Sequence, residues 1–91
     1  MKKNIWVVNA LSSPIKEVIN SAALTLIKEG YSVYITTTMV KGKEWMRLRI
    51  GFYRGRLEAS EEGKKIEKII GLKGSWPAKI GSEEMLAFAG Y

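Results

Sequence analysis

Ninety-one residues with nine glycines, two prolines, no cysteine and no histidine provide for one small domain, since a single core commonly takes about 100 residues or more. Without imidazole or thiolate, and with every one of the nine acidic residues a glutamate, the chain lacks the usual bases, nucleophiles, zinc ligands and calcium loops, so no cofactor and no metal is expected. Fifteen Lys and Arg leave a formal charge of +6, which favours an anionic partner: nucleic acid, an acidic lipid surface or an anionic polysaccharide. A Glu pair or a Ser–Lys pair remains for catalysis, neither stands at a spacing that demands it, and a chain this small leaves no room for a deep catalytic cavity flanked by a second domain, so a large enzyme is not expected.

The first apolar, β-branched run, Ile5 to Leu11, predicts a strand. Lys2 and Lys3 precede it, but Asn9 and Ser12-Ser13-Pro14 break the run too early for a signal-peptide core or a spanning helix. Contact with a membrane would therefore need an anchor outside this chain. The same Ser-Pro step offers an N-cap serine followed by proline at the first helical position. Ile15, Val18, Ile19, Ala22, Ala23, Leu26 and Ile27 then keep the i, i+3, i+4 spacing of a helix, and Gly30 stands where a left-handed C-cap belongs. Tyr31 to Val40 has strong β composition, Lys41-Gly42-Lys43 is a hairpin connection, and a third strand runs from Glu44 to Phe52.

In that strand Trp45, Arg47 and Arg49 point one way and Met46, Leu48 and Ile50 the other, which makes one face wet and one face core. Past the turn Arg54-Gly55-Arg56 a second helix is predicted over Leu57 to Ile70, with Glu61 and Lys65 as an i, i+4 pair. Gly63 in its interior costs about 1 kcal/mol relative to Ala unless close packing against the sheet explains it. Gly51 and Gly55 read as turn geometry, since no Lys-Ser/Thr follows them as in a nucleotide loop. Trp76 to Ile80 makes a last strand, and Ser82, Glu83 and Glu84 begin a final turn of helix carrying Met85, Leu86 and Phe88. Three large apolar side chains in four positions are expected to pack against the domain edge or the open sheet.

The order βαββαβ, with a weak twofold repeat, defines an α+β fold of the split βαβ (ferredoxin-like, RNP-like) type. It predicts a four-stranded antiparallel sheet of order 4-1-3-2 with two helices on one face and a short helical tail. The expected boundaries are a domain over 4–80 and a tail over 81–91. With Trp6, Val8, Ala10 and Trp76 assigned to the core, the open face should carry Ile5, Val7 and Asn9, then Tyr34, Thr36 and Thr38, then Trp45, Arg47 and Arg49, and Lys79.

The string Trp45-Met46-Arg47-Leu48-Arg49-Ile50-Gly51-Phe52-Tyr53, followed by Arg56, Glu58 and Ala59, resembles the second half of the SPOR (sporulation-related) repeat family. Trp6, Val8, the helix after Pro14 and Gly30-Tyr31 before a β run resemble its first half. The resemblance spans about Ile5 to Ile80. It implies a domain that binds bacterial peptidoglycan, particularly glycan strands stripped of stem peptides, and that carries a parent protein to the division septum in the periplasm or cell envelope, without catalysis and as a monomeric module. Where the family commonly has Q-x-G-S-F, this chain has Asn9-Ala10-Leu11-Ser12-Ser13, which keeps polar groups at Asn9 and Ser12 but not the Gly and Phe. The residues expected to hold the ligand are Asn9, Ser12, Tyr34, Thr36, Trp45, Arg47, Arg49 and Lys79.

The chemistry of such a ligand fits that face. A muramyl sugar freed of its peptide exposes a lactyl carboxylate, so the strand is a periodic anion with apolar sugar faces, matched by arginines beside a tryptophan. A single-stranded RNA-binding module shares the element order and also reads its ligand on the sheet. Its strand-three signature is not supplied by Lys43-Glu44-Trp45-Met46-Arg47, so nucleic acid is not the expected partner. A protein-interaction domain using Met85, Leu86 and Phe88 is the third class.

Overall fold

The computed structural model describes residues 5–88; the start at Met1-Lys2-Lys3 and the side chains of Met85, Leu86 and Phe88 lie outside what it describes. Its elements are β1 (Ile5–Ser13), α1 (Lys16–Lys28), β2 (Val33–Val40), β3 (Lys43–Tyr53), α2 (Arg56–Ile70), β4 (Trp76–Ile80) and α3 (Ser82–Phe88). The sheet order is β2-β3-β1-β4 with antiparallel neighbours. That is the expected 4-1-3-2 arrangement read from the opposite edge. The long central strands β1 and β3 pair with each other, and the shorter β2 and β4 close the edges.

Local chemistry accounts for most of the joints. Lys41 and Gly42 both have positive φ, 50° and 80°, and a two-residue turn of this hand matches the twist of the hairpin it closes. At the end of α1 the Tyr31 amide donates to the Leu26 carbonyl and the Gly30 amide to that of Ile27, with Gly30 at φ 91°. This is the paired left-handed closure that glycine permits without strain. The start of α1 differs from expectation. The strand continues to Ser13, Ile15 is the N-cap residue without a side-chain cap, and the Ser13 hydroxyl instead accepts from the Ile15 amide at 3.0 Å. Pro14 thus belongs to a bend ahead of the helix, because its serine satisfies an amide two residues on.

Both helices cover one face. Ile19, Ala22, Ala23 and Leu26 of α1 and Ala59 and Ile66 of α2 pack on Val8, Ala10, Leu48 and Ile50, with Trp6, Leu11 and Met46 against the margin. Only part of the α1 stripe is used: Ile15, Val18 and Ile27 stay exposed at its outer side. Gly63 is explained by contact, since a Cβ there would lie 2.8 Å from Ser75 Oγ and 3.6 Å from Val8 Cγ1. On the outer side of α2, Lys65 pairs with Glu62 at 3.1 Å and not with Glu61 as expected, the i, i+3 neighbour being taken in place of i, i+4.

Candidate functional site

The face turned away from α1 and α2 is organised by cross-strand register. Trp76 pairs with Asn9, Asn9 with Arg49, and Arg49 with Tyr34. Because directly paired residues project to the same side of a sheet, these form one row across all four strands, about 14 Å wide at the usual interstrand spacing. A shift in the β1–β3 register between Asn9 and Leu11 places both Ala10 and Leu11 against the helix-side core. An extra residue in one strand displaces the alternation beyond it. Ser12 consequently faces the same side as Asn9, and a second row runs Ser12, Arg47, Thr36. Trp45 opposite Thr38 follows as a third row near the hairpin.

Hydrogen bonds tie the rows together. Arg49 Nε donates to Asn9 Oδ1 at 3.3 Å, and Asn9 Nδ2 donates to Ser12 Oγ at 3.3 Å. Arg47 Nε donates to Thr36 Oγ1 at 3.2 Å. The terminal nitrogens of Arg47 have no hydrogen-bond partner among the described residues, so this half-buried guanidinium presents open donors to whatever lies on the sheet. Arg49 is different. It is 6% exposed, and its Nη1 donates at 2.7 Å to Glu84 Oε2, which also accepts from the Tyr34 hydroxyl at 2.6 Å. The arginine expected on a solvated stripe is thus held under a carboxylate from α3.

Burial alone would raise the Glu84 carboxyl, but the hydrogen bonds from Tyr34 and Arg49 and the guanidinium charges of Arg49 and Arg47 outweigh it and hold the group below its ordinary value. Burial, with the bond to Glu84, pushes the Tyr34 phenol well above its ordinary range. On the far side of the row Val7, Tyr34, Ala78 and Ile80 form a second buried cluster, with Ile5 and Phe52 against it and the Tyr34 and Phe52 rings stacked 5.7 Å apart. The face is therefore polar and accessible toward the hairpin and apolar toward the opposite end. Gly51 contributes to that apolar end, because a side chain there would press on Val7 at 3.1 Å.

Two expected placements change. Lys79 pairs with Trp6, so it lies on the helix side of β4, exposed at the edge and remote from the row. Trp76, assigned to the core from sequence, is half exposed and stands at the end of the row beside Asn9. The reason is the alternation of β4: Ala78 and Ile80 belong to the second cluster, so Trp76 shares their side, exposed at its end, and Lys79 faces the other way. In the sequence Glu84 marks only the start of a helix, and no local pattern makes it a partner of Arg49. Ser12, Asn9, Tyr34, Thr36, Trp45, Arg47 and Arg49 are brought to one face.

Elsewhere, a shallow groove of about 450 Å³ runs between α1 and α2, lined by Val18, Ala22, Ile69, Ile70 and Leu72 with Glu17, Ser21 and Thr25. Its lining carries no basic side chain, so it offers no cation to an anionic ligand. Among the described residues no helix is long and apolar enough to cross a membrane.

The chain thus combines an antiparallel split βαβ sheet, covered by helices on one face, with a cross-strand row of arginine, amide and aromatic groups on the other. The chain belongs to the SPOR domain family, whose pattern matches residues 2–76. Among solved structures it is similar to the solution structure of the peptidoglycan binding domain of the B. subtilis cell wall lytic enzyme CwlC. The two share 12% identity at a TM-score of 0.59, over 89% of this chain and 95% of that one, and the likeness is one of fold. The sequence has no match among curated proteins.

Proposed function

We propose that this chain is a non-catalytic peptidoglycan-binding domain that takes glycan strands lacking stem peptides and so directs a parent protein to the septal cell wall. The observation that carries the reading is the pair of adjoining rows, Trp76-Asn9-Arg49-Tyr34 and Ser12-Arg47-Thr36, in a member of the SPOR family. Arg47 and Arg49 are two residues apart on one strand, about 7 Å along it, and the exposed ring of Trp76 and the half-buried ring of Trp45 flank them. Guanidinium forks recognise carboxylates in a bidentate manner, and tryptophan offers a rigid apolar surface to a sugar ring. A flat site of this width suits a polymer lying across strands rather than a small enclosed molecule. The peptidoglycan-binding role of the structural neighbour supports the same class of ligand.

Nucleic acid fits the face less well, since sheet-face RNA binders stack bases on aromatic side chains. Here the two central strands carry Asn9 and Arg49 in the main row, and the rings of Trp76 and Tyr34 lie on its edge strands. The test is co-sedimentation with amidase-treated peptidoglycan. Arg47→Ala and Trp76→Ala should each reduce the bound fraction several-fold while folding stays intact. Undiminished binding by both, or tighter binding to single-stranded RNA than to glycan at matched salt, would refute the reading.

A further inference from the structure

We propose that α3 is a built-in competitor for the ligand: the Glu84 carboxylate occupies the place on Arg49 and Tyr34 that a ligand carboxylate takes, and α3 must swing off the sheet before the central arginine can engage. The inference rests on the glycan reading above and adds to it how that site is controlled.

Four observations lead there. Arg49 occupies the middle of the main row, yet its side chain is only 7% exposed and its Nη1 is already bonded to a carboxylate. Neighbouring Arg47, one row away, bonds Thr36 through Nε and has no hydrogen-bond partner on its terminal nitrogens among the described residues. The same Glu84 oxygen is the acceptor for both Arg49 and Tyr34, so a single external carboxylate oxygen can take both of these hydrogen bonds. Finally, the family pattern ends at residue 76, which places α3 beyond the part of the chain that defines the family, and Gly81 alone joins it to β4. Gly81 is exposed, and nothing stands within 4 Å of a Cβ position there. A single unencumbered residue at an element end is enough to absorb the backbone change of a hinge.

The docked and released forms then divide the population, and the apparent affinity for an external carboxylate falls by the released fraction. Glu84→Gln keeps the side chain's shape but removes the charge that competes for Arg49, which shifts the population toward release.

Two measurements on the full chain test this, both using amidase-treated glycan strands. In the first, Glu84→Gln should tighten binding about tenfold, which corresponds to a docked-to-released ratio near ten in the parent chain. In the second, since the chain has no cysteine, a nitroxide on Ala87→Cys reports on α3 alone: it should broaden the amide signals of Ser12, Thr36 and Arg47 in the free protein, and glycan should restore them. If the parent chain binds glycan, Glu84→Gln binds no more tightly and the label stays in place, the gate is refuted while the glycan reading stands. If neither protein binds glycan, the functional reading falls and the gate falls with it.

Discussion

Arg49→Ala tests the buried network through which Arg49 joins Asn9 of β1 to Glu84 of α3. As one of a wet stripe of charges its loss would change stability by no more than about 0.5 kcal/mol. In the structure its side chain is 7% exposed and bonded to Asn9 at 3.3 Å and Glu84 at 2.7 Å. Truncation leaves Asn9, itself 2% exposed, with an unmatched amide oxygen, and an unsatisfied buried acceptor costs about 1–3 kcal/mol. Glu84, a quarter exposed, regains water when its partner is gone, so its share falls near the lower end of the roughly 1.5–3 kcal/mol of a charged hydrogen bond. Together these give a loss of about 3 kcal/mol, which in a domain of this size lowers the Tm by roughly 12–24 °C. Thermal unfolding followed by circular dichroism measures it directly, with Arg47→Ala as the comparison expected to cost at most about 1 kcal/mol. A fall for Arg49→Ala of less than about 4 °C, the equivalent of 1 kcal/mol, would show that the arginine is solvated and that the network around it does not form.

Gly63→Ala should lower stability by about 1 kcal/mol in urea melts despite alanine's better helix propensity, because the new Cβ meets Ser75 Oγ at 2.8 Å, and that hydroxyl is held by Glu67 at 2.7 Å; a gain in stability would contradict the close contact. Lys79→Ala should leave glycan binding unchanged, since Lys79 pairs with Trp6 on the helix side, and a loss comparable with that of Trp76→Ala would return it to the site. Acidification should release α3: a carboxyl whose folded value is depressed contributes fully above its ordinary value of 4.5 and loses that contribution as the pH falls below it through the lowered value. Amide shifts of residues 82–88 followed on acid titration report the release, and docking that survives full protonation of Glu84 would show that its charge is not what holds the helix.

Most of the fold was legible because its signals are local. The i, i+3, i+4 spacing of α1, the Gly30 closure, the Lys41-Gly42 turn and the alternation of Met46, Leu48 and Ile50 each depend on residues within a few positions of one another. The face of β3 was legible for the same reason, which is why Trp45, Arg47 and Arg49 are found on one side. What failed was decided by tertiary contact. Trp76 and Lys79 exchange faces because a second apolar cluster, Val7, Tyr34, Ala78 and Ile80, lies on the side read as open. Its sequence trace is the unbroken apolar run from Ile5 to Val8, the pattern of a strand buried on both faces. The Arg49–Glu84 contact joins residues 35 apart in the chain, a separation that no periodicity reports, and with it went the burial of Arg49. Trp76 and Glu84 are accordingly the two members of the proposed site that sequence reasoning missed.

Amide and indole shift mapping in a titration with amidase-treated glycan strands shows directly which surface the ligand touches. Perturbations should concentrate on Asn9, Ser12, Arg47, Arg49, and the indole signals of Trp45 and Trp76, with little change at Val18, Ile69 and Leu72 in the groove between α1 and α2. Perturbations centred on that groove, or a sheet face left unchanged at saturating glycan, would contradict the proposed site.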